Sequence, residues 1–144
     1  MLSQTAEYAL RAVLYVAEHA AGRPVRVAEM ADALRIPRNY LSKILHQLAR
    51  TGVLVSLRGK SGGFQLGVPA DRLALSAVVT PFDRIEERQR CLLGRPQCSD
   101  RTACAAHVRW KDVAVAVADF FRDTTVADLL GNGAAVGLRA RRET

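Results

Sequence analysis

The chain has 144 residues, a formal net charge of +7 and a hydrophobic content of 49%. This length suits one domain with at most a small appendage, and it can bury about two thirds of its unfolded surface without disulfide bonds. No apolar run approaches the roughly 20 residues that a membrane span requires, and the first residues lack the basic and apolar blocks of a signal peptide. We therefore expect a cytoplasmic protein with no membrane partner.

The positive charge is concentrated in one segment. From Ala33 to Ala70 there are six basic residues and no acidic one, whereas Asp71–Leu130 contains nine of each kind. A basic surface restricted to one segment favours the binding of phosphates, as in nucleic acids. A basic face that only contacts solvent is the alternative.

Three short helices are predicted in the first fifty residues. Residues 3–21 repeat apolar side chains at the i, i+3, i+4, i+7 spacing of an amphipathic helix, and a glycine and a proline end it. A second helix runs from Val27 to Leu34, a tight turn follows at 35–37, and a third helix spans about 37–51. The third helix is expected to bury Leu41, Ile44, Leu45 and Leu48.

The outer face of the third helix is polar and basic. Its side chains are of the types that contact base edges and phosphates in a DNA major groove. Two short helices joined by a tight turn, the second polar on its outer face, form a helix-turn-helix. Asn39 and Ser42 are the expected base readers. The candidate DNA-contacting residues are Arg38, Asn39, Tyr40, Ser42, Lys43, His46, Gln47 and Arg50.

A β-hairpin is predicted directly after the third helix. Residues 53–57 form the first strand, 58–63 a glycine-rich turn and 64–66 the returning strand. A helix-turn-helix followed by such a hairpin is a winged helix, whose tip would place Arg58 and Lys60 beside a DNA backbone or minor groove. A glycine loop for a nucleotide is the alternative, but the spacing Gly-x-x-x-x-Gly-Lys-Ser is absent and no helix follows the loop.

Four stretches of the sequence closely resemble the Rrf2 family of bacterial winged-helix transcription regulators, which includes IscR, NsrR and RirA. These stretches are residues 2–10, 26–31, 39–45 and 57–64, and the likeness covers roughly residues 1–130. The resemblance implies a homodimer with a winged helix, a cysteine loop and a long dimerisation helix. It also implies that three loop cysteines and one other residue hold an iron–sulfur cluster, as in many members.

The resulting fold class is mainly α with a small β-hairpin. A winged helix-turn-helix DNA-binding domain is predicted at 1–70, the cysteine loop and dimerisation helix at 71–130, and a disordered basic tail at 131–144. Residues 108–122 are apolar nearly all round and contain no breaker, so we expect a helix covered by a partner subunit. Trp110 could instead be a core anchor of its own subunit. Residues 73–79 predict a short helix that Pro81 shortens or kinks.

All three cysteines and a histidine lie within 17 residues: Cys91, Cys98, Cys104 and His107. This concentration of soft ligands favours a metal or cluster site. His107 follows Cys104 by three positions, so one helical turn could aim both at one centre, as in IscR-type members. Glu7, which aligns with a ligand acid of NsrR-like members, is the alternative fourth ligand, and Asp100 is a weaker one.

The kind of centre stays open at this point. The interval between Cys91 and Cys98 is one residue longer than in the best-known cluster binders of the family, and both a 2Fe–2S and a 4Fe–4S cluster agree with three thiolates. Structural zinc suits three cysteines and a histidine, although a close cysteine pair is absent. A metal-free thiol–disulfide switch is the other alternative.

The sequence predicts a homodimeric transcription regulator that reads a pseudo-palindromic stretch of double-stranded DNA and senses redox state, nitric oxide or iron supply. We expect no enzyme and no small-molecule substrate, because Cys-x-x-Cys, a positioned general base and a cofactor loop are absent. A winged helix that binds only proteins is the remaining class. The acid-free segment argues against it.

Overall fold

The computed structural model describes residues 2–19, 22–85, 101 and 105–131. The described part is mostly helical with one small antiparallel sheet, as predicted, and none of its helices is long and apolar enough to cross a membrane. Its elements, in chain order, are α1 (Gln4–His19), α2 (Val27–Leu34), α3 (Arg38–Arg50), β1 (Leu54–Leu57), β2 (Gly63–Leu66), a single 3-10 turn (Ala70–Arg72), α4 (Leu75–Val79), α5 (His107–Asp123) and α6 (Val126–Leu130).

Helix α1 lies at the centre of the core and contacts α2, α3, β2, α4 and α6. Three alanines on its buried side, Ala6, Ala9 and Ala12, have no exposed surface. Side chains this small allow neighbouring elements to approach the helix closely. Val13 and Val16 fill the remaining space on the same helix, so most of the hydrophobic core is built around α1.

The turn between α2 and α3 is fixed by Arg35, which has φ of 53° and ψ of 48°. The backbone N–H groups of Arg35 and Ile36 both donate to the carbonyl oxygen of Ala31, and the Ile36 side chain is buried. Such a left-handed residue after the last turn is a common way to end a helix. Pro37 then adopts an extended ψ, so α3 begins at Arg38. The four predicted core residues of α3 are all buried.

The hairpin, or wing, consists of β1 and β2 in antiparallel register, with Leu54 opposite Leu66 and Leu57 opposite Gly63. Val25 adds a third extended segment that the sequence did not predict. Its N–H donates to the Phe64 carbonyl at 2.9 Å, and its carbonyl accepts from the Phe64 N–H at 2.8 Å. Two backbone hydrogen bonds therefore join the wing to the connection between α1 and α2.

The predicted helix over 73–79 begins two residues late. Leu73 and Ala74 are extended because they pair with the chain just before α6. The N–H of Val126 donates to the Leu73 carbonyl at 2.8 Å, and that of Leu75 to the Thr124 carbonyl at 2.9 Å. Helix α4 ends at Val79, before Pro81, in agreement with the predicted shortening.

Helix α5 confirms the predicted helix over 108–122 and extends it by one residue at each end. Helix α6 was not predicted. It begins with a capping box in which Thr125 and Asp128 bond each other's backbone N–H. The predicted disordered tail lies, after Gly131, outside the described residues.

Candidate functional site

The outer face of α3 carries the predicted DNA-contacting residues on the side opposite its buried residues. Spacings of three and four residues place them on one face of the helix. Ser42 and Gln47 are half-buried, and five side chains are exposed. We call the exposed set, together with Arg58 and Lys60 of the wing, the reading surface: Arg38, Asn39, Lys43, His46, Arg50, Arg58 and Lys60.

The reading surface and its neighbour Arg35 carry the six basic side chains of the acid-free segment. Within the described part of the chain, none of the six forms an ion pair with an acidic residue. Arg50 only approaches the amide oxygen of Gln47, at 3.4 Å. These cations therefore keep their charge available for phosphates, and DNA binding would release the counterions of those phosphates.

The wing lies beside α3. Helix α3 contacts β1, and the centroid of the His46 ring is 5.9 Å from that of the Phe64 ring. The tip of the wing is closed by the Gly62 N–H, which donates to the Gly59 carbonyl at 3.0 Å. A Cβ on Gly62 would lie 2.8 Å from that same oxygen. The turn thus requires glycine, and it leaves Arg58 and Lys60 exposed at the tip.

Tyr40 differs from the other candidates on α3. It is half-buried, its hydroxyl hydrogen-bonds the Thr5 hydroxyl of α1, and its ring meets the edge of Tyr8 at 5.7 Å with an interplanar angle of 76°. The side chain therefore packs between α1 and α3. Sequence periodicity does not identify Thr5 as a contact between helices, because a hydroxyl on a helix face is equally common where the face meets solvent.

Asp83 is a second residue that the sequence reasoning missed. Its side chain is only 8% exposed, and its Oδ2 accepts the backbone N–H of Ser3 at 2.8 Å. Ser3 precedes α1, and its hydroxyl accepts the N–H of Ala6 at 3.1 Å. Its sequence neighbours Phe82 and Ile85 are apolar, but Arg84 and Glu86 are charged, so the local sequence gives little sign of a buried carboxylate.

The predicted metal ligands fall mostly outside the described residues, since Cys91, Cys98 and Cys104 are not among them. Glu7 is exposed in the first turn of α1, and His107 is the first residue of α5. The described residues alone include no group of three or more histidine, cysteine, aspartate or glutamate side chains that could hold a metal ion. Three thiolates with an imidazole or a carboxylate nevertheless form a donor set suited to iron–sulfur or zinc.

Known proteins share both the sequence pattern and the fold of this chain. The sequence model of the Rrf2 family, described as an iron-dependent transcriptional regulator, matches residues 2–132. The chain belongs to the Rrf2 family. It is 34% identical over 131 residues to the HTH-type transcriptional regulator IscR of Erwinia tasmaniensis, a match that covers 91% of this chain and 79% of the relative. The IscR of Sodalis glossinidius is similar to the same extent.

Solved structures show the same fold in this Rrf2 protein. CymR, described as the global cysteine regulator of B. subtilis, superposes with a TM-score of 0.73 at 20% identity over 90% of this chain and 95% of that one. IscR of T. potens gives 0.72 at 19% identity over 90% and 85%. The predicted winged-helix fold, the role in transcription regulation and the non-enzymatic class are thereby confirmed.

One face of α5 in this Rrf2 protein carries exposed apolar side chains. Phe120 is 50% exposed and Val113 is 52% exposed, whereas Ala114 and Phe121 of the same helix are buried. Trp110 is half-buried beside this face. A cavity of about 220 Å³ adjoins it and is lined by Leu2, Ile85, Trp110, Val113, Ala114, Val117 and Phe121.

Proposed function

We propose that this protein is a homodimeric DNA-binding regulator whose affinity for its operator changes with the state of an iron–sulfur cluster. The observation that carries the DNA-binding part is the reading surface. It combines basic side chains without acidic partners in the described part of the chain, amide and imidazole groups suited to base edges, and a wing beside the helix.

The homodimer is supported by the apolar face of α5. Exposed apolar patches of this kind are typical of protein–protein contact sites, and a two-fold axis pairs a patch with its own copy. Two winged helices related by such an axis would read a pseudo-palindromic operator, with half-sites spaced by one or more helical turns of DNA.

The cluster is proposed to bind through Cys91, Cys98 and Cys104, with His107 as the fourth ligand and Glu7 as the alternative. The support is the donor set, together with the match to a family described as iron-dependent and to relatives named IscR. When bound, a 2Fe–2S or 4Fe–4S cluster supplies a centre that oxidants, nitric oxide or iron shortage can alter. Residues of this chain would carry that change to the reading surface.

Anaerobic purification followed by iron, sulfide and zinc analysis and an absorption spectrum tests the cluster. We expect a coloured protein with iron and sulfide in comparable amounts, and a Cys98→Ala variant that loses both. His107→Ala and Glu7→Ala, made in parallel, identify the fourth ligand, since only the true ligand changes the spectrum. A colourless protein that takes up only zinc, or that only forms a disulfide, would replace the cluster by structural zinc or by a thiol switch.

Gel shifts at increasing salt test the DNA-binding part. We expect the protein to select duplexes of a defined sequence from a random pool, and its affinity to fall steeply with salt concentration. A protein that binds no duplex even at low salt would instead be a protein-interaction module.

A further inference from the structure

We propose that Thr5 and Tyr40 position the recognition helix α3 on α1, and that Asp83 ties the same end of α1 to the segment leading into the cysteine-bearing stretch. Tyr40 is in this view a positioning residue, which acts on DNA through the placement of its neighbours Arg38 and Asn39. The proposal rests on the proposed function, because it says how a change near the cysteines reaches the reading surface.

The first contact holds the start of α3. Tyr40 lies in the first turn of that helix, directly after Asn39, and its hydroxyl shares a hydrogen bond with the Thr5 hydroxyl. The contact is partly buried, so water competes for it less than at an open surface. A tyrosine ring has only two rotatable bonds, and the edge of Tyr8 confines it further at 5.7 Å. The pair therefore restricts rotation of α3 about its own axis.

The second contact holds the start of α1. The buried Asp83 carboxylate accepts the Ser3 N–H at 2.8 Å, where a negative charge is favourable because it faces the positive end of the helix dipole. Asp83 is itself fixed: its N–H donates to the Val79 carbonyl at 2.8 Å, and its own carbonyl accepts from Ile85 at 2.9 Å. The carboxylate therefore moves with the end of α4 and with the chain that follows it.

These two contacts act on neighbouring residues. Ser3 and Thr5 are two positions apart at the start of α1, and the Glu7 N–H donates to the Ser3 carbonyl at 3.0 Å within the same turn. A displacement of Asp83 would therefore shift the turn that carries Thr5, and through Tyr40 it would rotate Arg38 and Asn39. The residue that sets this coupling is Thr5, whose partner lies on the recognition helix.

The experiment measures affinity for two duplexes. One is selected by the wild-type protein from a random pool, and the other has a scrambled sequence of the same length. Tyr40→Phe and Thr5→Val each remove one hydroxyl and keep the shape. Each is expected to reduce the ratio of the two affinities by about three- to tenfold, the effect of one hydrogen bond, while affinity for the scrambled duplex stays constant. The double variant is expected to match the single variants.

Two matched variants separate positioning from other roles. Tyr8→Phe removes a tyrosine hydroxyl whose partner, Gln4, belongs to α1 itself, so the affinity ratio should stay at the wild-type value. Thr5→Ser retains the hydroxyl and should restore the ratio lost in Thr5→Val. If Tyr40→Phe weakens both duplexes equally, or if the two single effects add, Tyr40 contacts DNA directly and the proposal is wrong.

The Asp83 contact is tested in the same assay. Asp83→Ala is expected to lower the affinity ratio, with no further loss when it is combined with Thr5→Val, because the Asp83 contact acts on α3 through the Thr5–Tyr40 hydrogen bond. Val79→Ala destabilises the same end of α4 by opening a cavity but keeps the carboxylate, and its ratio should remain wild-type. If Asp83→Ala and Val79→Ala have equal melting temperatures and also equal affinity ratios, Asp83 contributes only to the stability of the fold and does not position α3. A wild-type protein that does not distinguish the duplexes would instead refute the proposed function.

Discussion

Lys43 and Arg58 contribute charge to the reading surface from two different elements, α3 and the wing. Because a phosphate contact carries no sequence information, replacing either residue by alanine should weaken binding to matched and scrambled duplexes alike. Each change should also reduce the slope of log affinity against log salt by about 0.9. Fluorescence anisotropy at salt concentrations between 50 and 200 mM measures this slope. Over that range, DNA-binding proteins typically lose about 10³-fold in affinity.

Arg122→Ala provides the matched control for the loss of charge. This arginine lies on α5, where it is paired with Asp119 at 2.7 Å, and its removal should leave the salt slope unchanged. If Lys43→Ala and Arg58→Ala also leave affinity unchanged, the reading surface is wrongly placed.

Gly63 and Gly59 give a second pair of comparable residues. Both have positive φ, 146° and 101°, but a Cβ on Gly63 would lie 2.5 Å from the Val25 carbonyl oxygen, whereas Gly59 has open space. Gly59→Ala should cost only about 1 kcal/mol of backbone strain. Gly63→Ala should cost more, about 2–4 kcal/mol, because the wing must also move away from Val25. Urea unfolding followed by circular dichroism checks the order, and equal costs would contradict the pairing of Val25 with Phe64.

Residue-scale prediction from sequence succeeded where side chains repeat with the helix period. Leu41, Ile44, Leu45 and Leu48 are buried as expected. It failed for Thr5 and Asp83, whose partners belong to other elements. A single polar residue carries no periodic signal, so its hydrogen bond becomes visible only when the tertiary structure brings the two elements together.

Helix α6 shows how a short element depends on its cap. The Thr125 backbone N–H and side chain hydrogen-bond Asp128, and these bonds hold the pKa of the Asp128 carboxyl below its ordinary value. A depressed pKa means that the carboxylate stabilises the fold fully above its unfolded pKa and loses this effect as the pH falls through the folded pKa.

We therefore expect Thr125→Ala to raise the pKa of Asp128 only part of the way toward its ordinary value, because residue 125 keeps its backbone N–H, and to destabilise the protein by about 0.5–2 kcal/mol at neutral pH. A carboxyl-resolved NMR titration of the wild type and the variant measures the first effect, and thermal unfolding measures the second. An Asp128 that titrates at its ordinary pKa in the wild-type protein would show that the capping box does not form in solution.

Elements with strong periodicity were predictable within one or two residues, as α2, α3 and α5 show. Elements created by pairing were not. Leu73 and Ala74 look helical by composition, yet they are extended because Thr124 and Val126 supply their hydrogen-bond partners. Val25 likewise joins the wing through Phe64, which the local sequence does not indicate. Non-local hydrogen bonds override local propensity in both cases.

The proposed assembly of the whole molecule depends on the apolar face of α5. Phe120→Asp would bury an unpaired charge in a two-fold interface, so we expect the dimer to dissociate at micromolar concentration. Sedimentation velocity distinguishes the two states. Val55→Asp is the matched control, since Val55 is 45% exposed on the wing rather than on α5, and this variant should remain dimeric. If Phe120→Asp and Val113→Asp also remain dimeric, the subunits associate through another surface.

The two hydrogen bonds between Val25 and Phe64 close a loop of chain that contains α2, α3 and β1. Neither the helix-turn-helix nor the first strand of the wing can therefore separate from the rest of the fold unless these two hydrogen bonds break. Local opening of this region should therefore be cooperative, and its amides should exchange with solvent hydrogen as one group. Since the residues of α3 and the wing tip that DNA would contact all lie within this loop, bound DNA should slow the exchange of the whole group, including amides that it does not touch.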